Sequence, residues 1–467
     1  MRIVCFSINP VFPDRITGGA SKHLMRLIAH LAEKGHKVVL LAAEAVGGQE
    51  AFRLGENIQV KPILPFHLPF PQPYLVPPGD LAQICELIGE ELRTADRFYI
   101  HDGELLLPFL YSTVPTISSF RDNFYPESIL GSFISQADAI IAVSHFSADT
   151  LKASAGRVLP DISSRIHTVL NGLDTEVFYP TDPAPFYTRF GLNPRDQSII
   201  LHPHRPEPGK GLFETIQVVD TLKNAYGFNN IKVLVPQWLD VMNGEAESSF
   251  HSQISAELTN RGLSDNFIFH EWVSQSEMAA YYSAGQLTLC LGNMVEAFGN
   301  VAYESLICGT PSIAARVGVH RSQLPDDLLT KVDYGDAAAA AAAAAGILQT
   351  KTRVGGERLE RIRETFSLSR QLETYERIIC EAEKRNIPEA EPLQAGPNST
   401  FLLAPWCYAS GKGIFHDYHA RYYQLPELQH LLEKTNKISP EARKRFGVSN
   451  ESVLGWYKLG LIIPVRI

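Results

Sequence analysis

No Cys-x-x-Cys pair, no run of 18 apolar residues and no Asp-x-Asp motif at a strand end occurs in this chain of 467 residues. Each absence removes a class of protein. The six cysteines (Cys5, Cys85, Cys290, Cys308, Cys380, Cys407) are scattered. They read as small buried residues in a reducing compartment, not as a disulfide frame or a zinc site. Without a long apolar run a membrane-spanning helix is not expected. The opening "MRIVCFSINPVF" is broken by Pro10 and Pro13 too early for a signal peptide. A net charge of −9 argues against a whole-chain nucleic-acid binder. The expected location is the cytosol, with peripheral contact to a membrane left open.

What is present is an ordinary enzyme composition, 45% hydrophobic and 20% charged, at a length that calls for two or more domains. "RIVCFSI" reads as a buried parallel strand. Gly18 and Gly19 precede a helix with Leu24, Leu27, Ile28 and Leu31 on one face. Gly35 ends that helix and "KVVLLA" follows as a strand. Strand, glycine loop, helix and strand make a βαβ unit. Further strands are expected at 97–103, 114–120, 137–144 and 166–172, and a second series at 198–204, 230–236, 266–272, 287–293 and 311–316. Two such series predict an α/β architecture of two doubly wound, Rossmann-like domains joined around 178–196, with a ligand cleft between them. The nine alanines of 337–345 read as strong helix.

Two acids interrupt the apolar stretch "EAFGNVAYE". Glu296 falls in a loop after a strand, and Glu304 falls in the first two turns of a helix starting near Gly299 or Asn300. Backbone N–H groups of Phe298, Gly299 and Asn300 at that helix start would favour an anion. A phosphate there, with carboxylates accepting from hydroxyls, suits a sugar nucleotide. In "HPHRPEPGKGLF", Arg205 and Lys210 follow a strand five positions apart and can clamp a diphosphate.

The E-x7-E element, the "CGTP" after it, R-x4-K and the surrounding alternation resemble the retaining glycosyltransferases of family 4, which have the GT-B fold. The resemblance spans roughly residues 1–385. It implies transfer of a sugar from a nucleoside-diphosphate sugar to an acceptor hydroxyl, with no further cofactor and no metal. By the same resemblance Glu296 contacts donor-sugar hydroxyls, Glu304 the ribose, and Arg205 and Lys210 the leaving diphosphate, so Glu296, Arg205 and Lys210 are the catalytic candidates. Gly18 and Gly19 match the family's N-terminal glycine loop, and His101 its His-Asp pair. The departing phosphate would serve as base on the face attacked by the acceptor. Residues 1–180 become the acceptor side, 190–368 the nucleotide-sugar side, and 369–385 a final helix crossing back. Two departures concern the donor sugar: Arg121 stands where many members have histidine, either to bind an anion or to pair with Asp122, and "GVHRS" (318–322) replaces G-G-x-x-E. A nucleotide-sugar-binding protein and a GT-B-related epimerase remain as alternatives.

The proline- and aromatic-rich 65–80 reads as an acceptor-side loop. Residues 400–467 form a small, mainly helical extension of unassigned role. Residues 390–467 hold nine Lys or Arg against six Asp or Glu. Its "FGVSNESVLGWYKLGLI" resembles a MerR-like helix-turn-helix, so an interaction with nucleic acid or protein through 400–467 is one expectation and plain structural support another.

Overall fold

A computed structural model describes residues 1–14, 18–45, 47–68, 72–237, 244–271 and 273–465, without the side chains of 244–248. The chain divides into two compact units. One is Met1–Leu170 with Ser369–Ile467, the other Asn171–Leu368.

Among the described residues the first unit is built on eight strands: β1 (Arg2–Ser7), β2 (Lys37–Ala43), β3 (Phe52–Arg53), β4 (Ile58–Leu64), β5 (Arg97–Ile100), β6 (Thr116–Phe120), β7 (Ala139–Ala142) and β8 (Ile166–Thr168). Their order is β3-β4-β2-β1-β5-β6-β7-β8. All neighbours are parallel except β3 with β4. β4 was missed in the sequence because "IQVKPIL" alternates and carries a proline. The sheet grows outward from β1 in both directions, so β1 and β5 flank the point where strand order reverses. Loops leaving the strand ends at such a point border a crevice.

Helix Gly19–Glu33 covers β1 and β2 because Leu24, Leu27, Ile28 and Leu31 recur at helical spacing and are all sealed. Each such side chain contributes about 1.5–3 kcal/mol by burial. Helix Leu368–Glu381 adds Tyr375, Ile378 and Ile379 to the same core. Beyond it the buried Asp138 carboxylate accepts from Arg385 N at 2.7 Å and Lys384 Nζ at 3.1 Å, fixing the chain after that helix to the sheet.

Among the described residues the second unit has six strands: β9 (Ser198–Leu201), β10 (Ile231–Pro236), β11 (Phe267–His270), β12 (Leu287–Cys290), β13 (Ser312–Ala315) and β14 (Thr330–Val332). All are parallel, in the order β11-β10-β9-β12-β13-β14. Here strand order reverses between β9 and β12. The polyalanine tract is the helix Ala337–Thr350, capped by Asp336, whose carboxylate accepts from Ala339 N at 2.9 Å.

The extension is more mixed than mainly helical. Its three helices (Pro426–Lys434, Pro440–Phe446, Asn450–Lys458) accompany two small antiparallel sheets. These are β15 (Phe401–Leu403) with β19 (Ile462–Pro464), and β16 (Cys407–Ser410), β17 (Gly413–His416) and β18 (Arg421–Tyr423). Strands of three or four residues leave too short a period to read in a sequence. Phe401, Leu428, Leu431, Trp456 and Ile462 form its own core. It is tied to the eight-stranded part by Tyr418 Oη donating to Asn123 O at 3.0 Å and by a hydrogen bond from the Arg157 guanidinium to Tyr457 Oη. The segment between Glu381 and Phe401 contributes Glu391 N and Leu393 N, which donate to Val158 O and Arg157 O.

Candidate functional site

In the second unit the loops after β9 and β12 bring the predicted residues together. The segment Gly209–Lys210–Gly211 lies flat on the backbone of 291–294, with Met294 N donating to Gly209 O at 3.0 Å. Gly211 has φ +90°, and a Cβ on it would stand 2.4 Å from Gly292 N. Only glycine permits both that conformation and that approach. The contact places Lys210 Nζ 2.6 Å from Glu296 Oε1, with side-chain exposures of 14% and 28%.

Burial pushes the Glu296 carboxyl up, but Lys210, with His320 and Arg205 behind it, holds it below the usual carboxylate range. It is therefore a carboxylate at neutral pH. Arg205 is more open, 43% exposed, and lies 3.5 Å from Glu207.

Helix Asn300–Ile307 starts behind Glu296. Its N-cap Gly299 is left-handed and supplies no side-chain cap, so the first N–H groups keep their capacity to meet an anion. The Phe298 side chain is core: its ring meets Tyr303 at 5.0 Å and Phe366 at 5.3 Å. On the first turns, Glu304 accepts from Tyr282 Oη at 3.0 Å.

Two histidines escaped the sequence reading. His320 packs so tightly on Gly299 that a Cβ there would lie 2.3 Å from its Cε1. Burial, opposed by Glu296 and reinforced by Lys210, drops its pKa to about 4, so it is neutral. His204, beside Arg205, is likewise held well below the ordinary value by burial, His202, Lys210 and His320. The sequence signal for His320 was its place in the turn after the "CGTP" strand, between the departures Val319 and Ser322.

In the first unit the predicted residues are gathered at the other reversal point. Gly18 caps helix Gly19–Glu33 in an extended conformation, and nothing lies within 4 Å of where its Cβ would be. Thr17, before it, lies outside the described residues. His101 is 2% exposed, with Nε2 3.0 Å from Ala20 O and Nδ1 3.0 Å from Tyr99 Oη. It thus pins the start of the helix that Gly18 caps. The His23 ring stacks on it at 5.8 Å.

Arg121, 7% exposed at its side chain, does not pair with Asp122. Its Nε is 3.7 Å from Asp102 Oδ1 and its Nη1 3.4 Å from Tyr375 Oη. Asp122 instead accepts from Phe124 N and Tyr125 N, both at 2.9 Å, and from Ser128 Oγ at 2.5 Å. A carboxylate two residues past a strand end caps its own turn more readily than it reaches its neighbour. Burial raises Asp102 and Asp122 to about 6 each. Of the aromatic loop at 65–80, Pro69, Phe70 and Pro71 lie outside the described residues. Among the described residues no cluster of metal-ligating side chains occurs.

Two doubly wound units of this kind, with the site at a reversal point, define the GT-B architecture. Solved structures agree: sucrose-phosphate synthase from Thermosynechococcus elongatus matches with a TM-score of 0.65 at 17% identity, over 81% of this chain and 98% of that one. HepE from Anabaena, solved with UDP and glucose, matches with a TM-score of 0.61 at 17% identity, over 80% and 98%. The family model described as Glycosyltransferase Family 4 matches residues 17–177, and that of Glycosyl transferases group 1 matches 186–365. The chain belongs to the family 4 glycosyltransferases. D-inositol 3-phosphate glycosyltransferase 1 of Catenulispora acidiphila is 30% identical over 195 residues, 41% of this chain and 45% of that protein. Its counterpart in Acidothermus cellulolyticus is 30% identical over 192 residues, 40% and 41%. The matches thus span less than half the length of these curated relatives. Residues 400–467 lie beyond both family models.

Proposed function

We propose that the protein is a retaining glycosyltransferase that moves a sugar from a nucleoside-diphosphate sugar to an acceptor hydroxyl. The observation that carries this reading is the ion pair of Lys210 with Glu296 beside the uncapped start of helix Asn300–Ile307. The diphosphate binds at that helix start and draws Lys210 and Arg205 onto its oxygens. Glu296, released from Lys210, accepts from donor-sugar hydroxyls, and Glu304, oriented by Tyr282, accepts from the ribose. His320 and His204 stay neutral and add no competing charge.

In the reaction the acceptor oxygen bonds to the anomeric carbon as the bond from that carbon to the diphosphate breaks. The acceptor proton passes to the departing phosphate oxygen on the same face. Lys210 and Arg205 stabilise the charge that develops there, a contribution of about 2.7–4 kcal/mol for one well-placed donor. The donor thus belongs to residues 190–368 and the acceptor to 1–180. Gly18 serves ligand approach, since neither packing nor backbone conformation demands glycine there. Gly19 continues that approach as the first helical residue. His101 and Arg121 are assigned to supporting this loop and Asp102.

The first donor to test is UDP-glucose, which HepE binds in its structure, and the first acceptor is D-inositol 3-phosphate, after the relatives' name. Thermal stabilisation by UDP, GDP and ADP and their sugars selects the nucleotide. Turnover with acceptor then tests transfer. Binding without turnover across an acceptor panel would return the chain to a nucleotide-sugar-binding role, and conversion of the donor without acceptor to an epimerase.

A further inference from the structure

His202 follows β9, an inner strand of the second unit, and is sealed at 0% exposure. The residues before it are Ile199, Ile200 and Leu201, all buried, and an apolar side chain would simply continue that core. The chain instead buries an imidazole whose Nε2 has no hydrogen-bond partner. Burial holds the ring neutral, with its pKa lowered to about 3. A polar atom left bare in a core costs stability, so it calls for a reason.

The other ring nitrogen supplies one. Nδ1 lies 3.1 Å from Thr215 Oγ1, in the first turn of helix Leu212–Tyr226, and Thr215 Oγ1 lies 2.9 Å from Gly211 O. Chemistry sets the direction of this relay. A carbonyl oxygen only accepts, so the hydroxyl donates to Gly211 O and its own oxygen accepts from His202 Nδ1–H. The other tautomer would bury an Nε2–H without an acceptor. It would also leave two oxygens 2.9 Å apart with no hydrogen between them. Thr215 alone would make an ordinary bond from a helix hydroxyl to the carbonyl four residues before it. The histidine turns that bond into a fixed chain.

The relay ends beside Lys210. Gly211 O, which also accepts from Thr215 N at 2.9 Å, anchors the backbone just after this lysine. Gly209 O, held by Met294 N, anchors the backbone just before it. A lysine side chain is a flexible stem, so what the fold can set is the place of its backbone and hence the reach of Nζ.

We propose that His202 is a positioning residue, which through Thr215 and Gly211 holds the Lys210 loop where Nζ meets the diphosphate. The inference rests on the transferase reading, in which Lys210 exchanges Glu296 for the donor.

The test compares the wild type with His202→Asn, whose Nδ2 stands in for Nδ1–H, and with the double variant His202→Leu, Thr215→Val. Three quantities are read: the melting temperature, hydrogen exchange across 206–213, and calorimetric affinity for whichever of UDP, GDP and ADP the wild type binds. The double variant removes both partners together and should melt at or above the wild-type temperature. It should nevertheless exchange faster across 206–213 and bind the nucleotide about tenfold more weakly. His202→Asn should keep slow exchange and an affinity within about threefold of the wild type. A purely structural role predicts the reverse, a lower melting temperature with affinity unchanged. Wild-type affinity in the double variant, or an equal loss in His202→Asn, would overturn the inference. A wild type that binds none of the three nucleotides would overturn the transferase reading itself, an outcome seen without any variant.

Discussion

The two units place charges at the same topological position and treat them in opposite ways. Where strand order reverses in the second unit, Lys210 and Glu296 meet on glycine-laced loops and remain 14% and 28% exposed. At the reversal in the first unit, Arg121 and Asp102 are 7% and 8% exposed and 3.7 Å apart. A partly open pair can exchange its partner for a ligand. A sealed pair cannot, because removing either member strands a buried charge. The same sheet design thus yields one partly open ion pair and one sealed one.

Lys210→Ala should give the largest effect, a loss of about 10²–10³ in kcat/KM. It should also abolish stabilisation by the nucleoside diphosphate, read as a melting shift. Arg121→Ala should cost stability instead, about 3–5 kcal/mol in urea melts. If Arg121→Ala left stability intact and cost turnover as much as Lys210→Ala, the contrast between the units would collapse.

The glycines sharpen the same contrast. Gly211→Ala collides with the Gly292 backbone at φ +90° and should destabilise by about 1–3 kcal/mol. Gly18→Ala meets nothing within 4 Å and should leave stability unchanged while raising KM. Equal melting temperatures for the two variants would contradict the loop geometry.

A smaller effect separates the acids by pH. Glu296, depressed by Lys210 against its burial, stabilises above the ordinary glutamate value of about 4.3 and loses this as pH falls through its lower folded value. Asp102 and Asp122, raised by burial to about 6, behave in reverse. Their contribution is complete below about 3.9 and is lost as pH rises through about 6. Because the buried neutral histidines contribute an opposite slope to both proteins, the readout is the difference: in urea melts Asp122→Asn should gain stability relative to the wild type as pH rises from 4 to 7. The smallest change is Tyr282→Phe, which frees Glu304 of one hydrogen bond worth about 0.5–1.5 kcal/mol. It should raise the donor KM a few-fold with kcat retained.

Much of this was legible in the chain. Buried parallel strands such as Ala139–Ala142, and residues 199–201 of β9, are continuous apolar runs, and E-x7-E spans a loop and a helix start whose spacing is local. The short strands β15–β19 were not, since three or four residues carry no period. His320 was not either: its closeness to Glu296 depends on β12 and β13 lying side by side, 22 or more residues apart in sequence. Nor could the sequence tell that Arg121 would lie beside Asp102, because the two meet only through the pairing of β5 with β6.

By itself the sequence determined the strand and helix alternation and the doubly wound class, and it nominated the residues proposed to hold a sugar nucleotide, because periodicity, glycine placement and motif spacing are local properties. The tertiary structure decided which cation meets which carboxylate, which histidines are neutral, and that the extension is tied to the eight-stranded part. Those outcomes rest on burial and on contacts between segments that are 86 residues apart for Lys210 and Glu296 and 295 for Asn123 and Tyr418, where desolvation sets the cost of every charge and no local pattern records the partner.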